Sequence, residues 1–114
     1  MGNFSPTASQ AWLLLAAAGV LEVAWAVGMK FTDGFSRPLP SLLVLIVALA
    51  SFALLGLAMK ALPVGTAYAV WVGIGAAGVA LLGIVMFGEP ATAARIGCVL
   101  LIVAGVLGLK LVDG

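Results

Sequence analysis

Glu22 stands alone as an acid inside an otherwise uncharged apolar run, residues 11–29. On a helix it lies about 15 Å from Trp12, close to mid-depth of a hydrocarbon layer about 30 Å thick. An ionisable group placed there costs about 2.5–3.5 kcal/mol on insertion scales, and that cost marks a proton or ion pathway by default. The plainer reading is a protonated Glu that glues helices together. A carboxyl group so placed can hold protons or a cation, but hardly neither. Competition at one such site is enough to make an exchanger.

Ala18, Gly19, Trp25, Ala26 and Met29 stand at −4, −3, +3, +4 and +7 from Glu22 and share its helix face. The small residues admit a neighbouring backbone. Trp25 brings an indole N–H and an aromatic wall one turn from the acid, unless it serves as an interface anchor. Ser51 lies midway along the second apolar run, where its hydroxyl either bonds the carbonyl four residues back or reaches the site. Tyr68 and Trp71, three apart, offer O–H and N–H donors with π-surface, or act as membrane-belt residues. Gly73 and Gly75, with Gly78 and Gly83 beyond them, allow either a kink that hinges the third helix or close packing. Gly97, Ala104, Gly105 and Gly108 form a small-residue seam on the fourth helix, suited to helix pairing between subunits. Cys98 beside it reads as an apolar filler and Glu89 as a solvated helix end. Lys30, Arg37, Lys60, Arg95 and Lys110 read as interfacial anchors.

The elements that must position these groups follow from composition. Of 114 residues 65% are hydrophobic and 8% charged, against about 25% charged in a soluble domain. So few charges cannot clothe a water-soluble globule, which excludes a soluble enzyme, a disordered regulator and a nucleic-acid binder; a net charge of +1 offers no basic patch. With no His and one Cys, neither a disulfide nor a His/Cys metal site can be built, and no metal or cofactor is expected. The chain reads as an all-α integral membrane protein. Charges leave uncharged runs over residues 38–59, 61–88 and 96–109; the last spans if Arg95 and Lys110 snorkel. Four transmembrane helices are predicted, over about 11–30, 39–59, 64–87 and 92–110. Breakers at Gly34, Pro38, Pro40, Pro63 and Pro90 fit the connections. Residues 1–10 read as a polar disordered tail without the basic residues of a cleavable signal peptide, and residues 11–114 as one transporter domain. With four spans, one side carries Lys60 and Lys110 and the other Lys30, Arg37 and Arg95. Two against three is a weak orienting bias. It fits insertion in both orientations and an antiparallel dimer, or one fixed orientation that the tally does not reveal.

The run GVLEVAWAVGMK at residues 19–30 and the run KALPVGTAYAVW at 60–71, continuing into Gly73-Ile74-Gly75, resemble the small multidrug resistance transporters over nearly the whole chain. Trp25, three residues after the Glu, looks like the guanidinium exporter subtype; the polyaromatic-cation subtype usually has Gly there. The resemblance implies a bacterial inner-membrane protein and an antiparallel, dual-topology homodimer with one shared central site. It implies that Glu22 binds protons and substrate, with Trp25 and Ser51 hydrogen-bonded to its carboxylate and Gly19 beside them. It also implies Tyr68 as a switch and gate, Trp71 as a lining residue, Gly73 and Gly75 as a hinge, and the fourth-helix glycines as the dimer contact. Val72 departs from the Thr common after this Trp, and Ala53, Gly56 and Leu57 are smaller or less polar than common choices. If that helix borders a portal toward lipid, substrates with alkyl tails are tolerated.

The expected function is proton-coupled antiport of guanidinium and small guanidinyl cations by alternating access, protons and substrate competing for paired Glu22 carboxylates. The alternative is a broader exporter of quaternary ammonium and other lipophilic cations. A cation pore without proton coupling and a structural subunit without transport are the remaining classes; the latter leaves Glu22 without a role.

Overall fold

A computed structural model of the chain describes residues 5–113. Four long helices run through them: α1 (Ala8–Gly28), α2 (Pro38–Ala58), α3 (Val64–Phe87) and α4 (Ala93–Asp113). All four are long and apolar enough to cross a membrane. Because α1 packs against both α2 and α3, while α4 rests on α3, the helices line up in the order α2, α1, α3, α4. The Cα atoms span 41 × 38 × 16 Å, so the protomer is a thin slab of helices with both faces open.

Helix ends follow local chemistry. Thr7 and Gln10 form a capping box, with Thr7 Oγ1 accepting from Gln10 N at 3.2 Å and Gln10 Oε1 from Thr7 N at 3.0 Å. That box starts α1 at Ala8, so residues 8–10 belong to the helix and not to the expected polar tail. Residues 1–4 of that tail, and Gly114 at the far end, lie outside the described residues. After α1 a single 3₁₀ turn (Met29–Thr32) buries Thr32, whose hydroxyl donates to Met29 O at 2.7 Å and accepts from Phe35 N at 3.1 Å. Pro38 and Pro40 sit in the first turn of α2, where a missing N–H costs nothing. The C-terminus of α3 is closed by Gly88 in the left-handed region, φ 65°. The fourth helix begins at Ala93 and runs to Asp113, three residues past the expected Lys110. There Thr66 Oγ1 donates to Asp113 Oδ2, tying the end of α4 to the start of α3.

The core gathers at one end of the slab. Ala11, Leu15 and Ala18 of α1, Leu55 and Ala58 of α2, Leu62, and Ala67, Val70 and Trp71 of α3 make one buried cluster. At the other end α1 and α3 leave an open groove between them. In α4 only Val99 is buried among the described residues, so most of its apolar surface faces outward.

Candidate functional site

The groove, about 560 Å³, runs along α1 and α3 from Glu22 to the ends of α3 and α4. Its walls are small and aliphatic (Ala26, Val72, Ala76, Val79, Ala80), and Glu22 lines it beside Gly75. Glu22 Oε1 is buried with no hydrogen-bond partner among the described residues. The carboxyl group lies against Gly75: a Cβ on that residue would overlap it and come within 2.9 Å of Glu22 Cγ. Only glycine leaves room for an acid against this helix. An unpartnered buried acceptor is costly, and a solute offering N–H groups or a proton removes that cost.

The other expected site residues form a second group on the α2 side of α1. Ser51 Oγ donates to Ala18 O at 2.7 Å and accepts from Trp71 Nε1 at 3.0 Å. The hydroxyl therefore bridges three helices; it reaches neither the Glu22 carboxylate nor the carbonyl four residues before it. Trp25 also turns from the acid. Three residues on is 60° round the helix, and the ring packs edge-on against Phe52, centroids 6.1 Å apart, with Nε1 buried and unpartnered among the described residues. The carboxylate bonds implied for Trp25 and Ser51 are thus replaced by different contacts. Phe52, which the sequence did not mark, continues the aromatic row to Trp71 at 5.7 Å, and Trp71 to Tyr68 at 5.7 Å. Tyr68 is 54% exposed on the protomer.

The glycines have distinct neighbours. A Cβ on Gly19 would meet Ile74 Cγ2 at 2.6 Å, so Gly19 sets the α1–α3 approach rather than lining the groove. A Cβ on Gly73 would meet Val106 Cγ2 of α4 at 2.5 Å, and one on Gly78 would meet Val23 Cγ2 of α1 at 2.5 Å. Within this structure Gly73 and Gly75 lie in one continuous helix and serve close packing. Gly97, Gly105 and Gly108 have nothing within 4 Å of a Cβ position, and Ala104 is exposed, so this seam faces outward. At the helix-end side of the groove stand Lys30, Phe87, Glu89 and Arg95. Lys30 Nζ lies 5.2 Å from the centre of the Phe87 ring, and Arg95 Nη1 bonds Glu89 Oε1 at 3.0 Å. On sequence alone Glu89 reads as a solvated helix end and Lys30 and Arg95 as interfacial anchors, because nothing in their spacing joins them to Glu22.

A family model described as Small Multidrug Resistance protein matches residues 10–102. The chain belongs to the small multidrug resistance family. It is 58% identical over 101 residues to a protein named Guanidinium exporter from Yersinia pseudotuberculosis, covering 89% of this chain and 97% of that one. Proteins of the same name from Escherichia coli K12 and Salmonella typhimurium LT2 are each 57% identical over 100 residues, covering 88% of this chain and 95% of theirs. With four apolar spans and these transporter relatives, this family member is a multi-pass membrane protein.

Proposed function

We propose that this small multidrug resistance protein exports guanidinium and small guanidinyl cations from a bacterial cell across its inner membrane, in exchange for protons. The observation that carries the reading is Glu22: a carboxyl group at mid-membrane that lines an open groove, its Oε1 buried and unpartnered among the described residues. The relatives named for guanidinium export support the substrate class. Guanidinium is planar, permanently charged and presents N–H donors in a fork that matches carboxylate oxygens two at a time.

One protomer supplies one such acid and leaves the groove open to lipid. A second copy, inserted in the opposite sense, closes it and brings a second Glu22 to the same cation. The outward small-residue seam of α4 at Gly97, Ala104, Gly105 and Gly108 suits that pairing. In an antiparallel pair the inward-open and outward-open forms are one structure with the chain roles exchanged, so neither is favoured. Tyr68, Trp71, Trp25 and Ser51 then line and brace the site from the α2 side. Two protons taken in for one cation moved out carry one net positive charge inward, worth about 2.3 kcal/mol per 100 mV.

The broader reading, export of quaternary ammonium cations, has its own support in the aliphatic walls of the groove, which accept alkyl groups. Guanidinium and tetra-alkylammonium currents measured on the same reconstituted protein separate the two. For the mechanism, Glu22→Gln in proteoliposomes is expected to abolish both substrate-driven proton movement and proton-driven uptake. Persistence of either rejects it.

A further inference from the structure

Two carboxyl groups in this fold are held in the same manner. Glu22 lies against Gly75 and Glu89 against Gly83, and at either glycine a Cβ would overlap the carboxyl group. The two glycines are eight residues apart on α3, about 12 Å along its axis, and one groove is lined by both Glu22 and Glu89. Glu89 owes its place to the end of α3. Gly88 turns the chain at φ 65°, and Glu89 N donates to Gly83 O at 3.2 Å, which folds the side chain back over the helix.

The present occupant of Glu89 is itself a guanidinium. Arg95 Nη1 donates to Glu89 Oε1 at 3.0 Å, and Arg95 N donates to Thr92 Oγ1 at 3.2 Å in the first turn of α4. Arg95 is 39% and Glu89 46% exposed, and the contact uses one N–H. Pairs this open to solvent are weak, so a solute of the same chemistry can compete for the carboxylate.

Building on the reading of Glu22 as the cation site, we propose that Glu89 is a staging site. An incoming guanidinium-class cation takes the place of Arg95 on Glu89 before moving inward to Glu22. Displaced Arg95, together with Lys30 on the same groove, leaves positive charge behind the cation and favours its inward step. In the resting protomer Arg95 occupies Glu89 and offsets its charge, so the mouth neither traps cations nor exposes a lone acid.

The test is initial-rate guanidinium transport in proteoliposomes for Glu89→Gln, Glu89→Asp, Arg95→Gln and the double variant Glu89→Gln/Arg95→Gln, beside Glu22→Gln. Glu89→Gln is expected to raise KM about tenfold with the maximal rate within about twofold, and Arg95→Gln to lower KM about threefold. Glu89→Asp keeps a carboxylate and is expected to stay nearer the parent. The double variant is expected to follow Glu89→Gln, because no carboxylate remains to receive the cation. Return of the double variant to parental KM reduces the pair to charge balance and overturns staging. Equal losses in both single variants reduce it to a structural clasp and overturn it as well, as does an unchanged KM in Glu89→Gln. Any of these with Glu22→Gln inactive leaves the exchange reading standing; transport by Glu22→Gln removes both.

Discussion

Gly75→Ala probes the contact on which the site depends. The added methyl group would come within 2.9 Å of Glu22 Cγ and closer still to the carboxyl atoms, whereas ordinary contact begins near 3.4 Å. The stem must therefore retreat by about half an ångström and the carboxyl group by about 1 Å or more. A misplacement of about 1 Å at a reacting group costs about 100-fold, so guanidinium-driven current should fall by about that factor. Folding should suffer less than in Gly19→Ala, since the atoms met belong to the end of a side chain that can turn away and Ala favours a helix interior over Gly by about 1 kcal/mol. Gly56→Ala and Gly65→Ala, where a Cβ meets nothing within 4 Å, are the controls and should transport like the parent.

A hinge at Gly75 would also be stiffened by Ala, so a second variant separates the two explanations. Glu22→Asp shortens the acid by one methylene and draws its carboxyl group back from α3. If overlap is the cause, the double variant Gly75→Ala/Glu22→Asp loses less than the product of the two single losses. If stiffness is the cause, the losses multiply. Gly75→Ala carrying current within about threefold of the parent, with a normal melting transition, would refute the reasoning outright. It would mean that the acid does not work from its place against α3.

Ser51→Ala removes the bridge between Ala18 O and Trp71 Nε1. Polar contacts inside membranes average about 0.6 and reach about 1.7 kcal/mol, so a loss of about 1 kcal/mol is expected, read as a lowered melting midpoint in detergent together with altered Trp emission. Gly19→Ala forces a methyl group to 2.6 Å from Ile74 Cγ2 and should destabilise by about 1–3 kcal/mol. Adding Ile74→Ala should recover most of that loss in the same melt. If protons and guanidinium compete at Glu22, apparent Kd for guanidinium rises as pH falls through the titration of the site. The rise is about tenfold per pH unit for one proton exchanged and about 100-fold for two; equilibrium binding across pH measures it, and a flat profile ends the competition model.

The spans were legible because charge is so scarce that each ionisable residue marks a boundary. The acid at position 22 was legible for the same reason. The start of α1 also has a signal in the sequence, since Thr7 and Gln10 have the spacing of a capping box, which the reading of residues 1–10 as a polar tail does not use. Partner identities were not readable. Ser51 has two acceptors within reach in sequence terms, and the helix crossing selects a third, Ala18 O on α1. Trp25 shares a face with Glu22 on a helical wheel, yet 60° is enough to send a long indole to Phe52 while the acid goes to Gly75. Glu89 joins the groove only through the turn at Gly88, which links two helix ends in space.

The glycines of α3 carry a consequence for the alternating access proposed above. Gly73 receives Val106, Gly75 receives Glu22, Gly78 receives Val23 and Gly83 receives Glu89. Two of those four side chains belong to α1, and Ile74 of α3 in turn fits against Gly19 of α1. Close-packed contacts of this kind are not continuously deformable. Bending α3 at Gly73–Gly75 while α1 stays fixed would pull Glu22 and Val23 from their places and drive Ile74 into the backbone at Gly19. Moving α1 and α3 together avoids all three penalties and leaves the carboxyl group at a constant place on α3. The least tightly joined boundaries are elsewhere, between α2 and α3 and along the outward face of α4. Under the proposed exchange mechanism α1 and α3 are therefore expected to travel as one body with Glu22 carried between them, and the groove they share is opened and closed by a partner copy that moves along those boundaries.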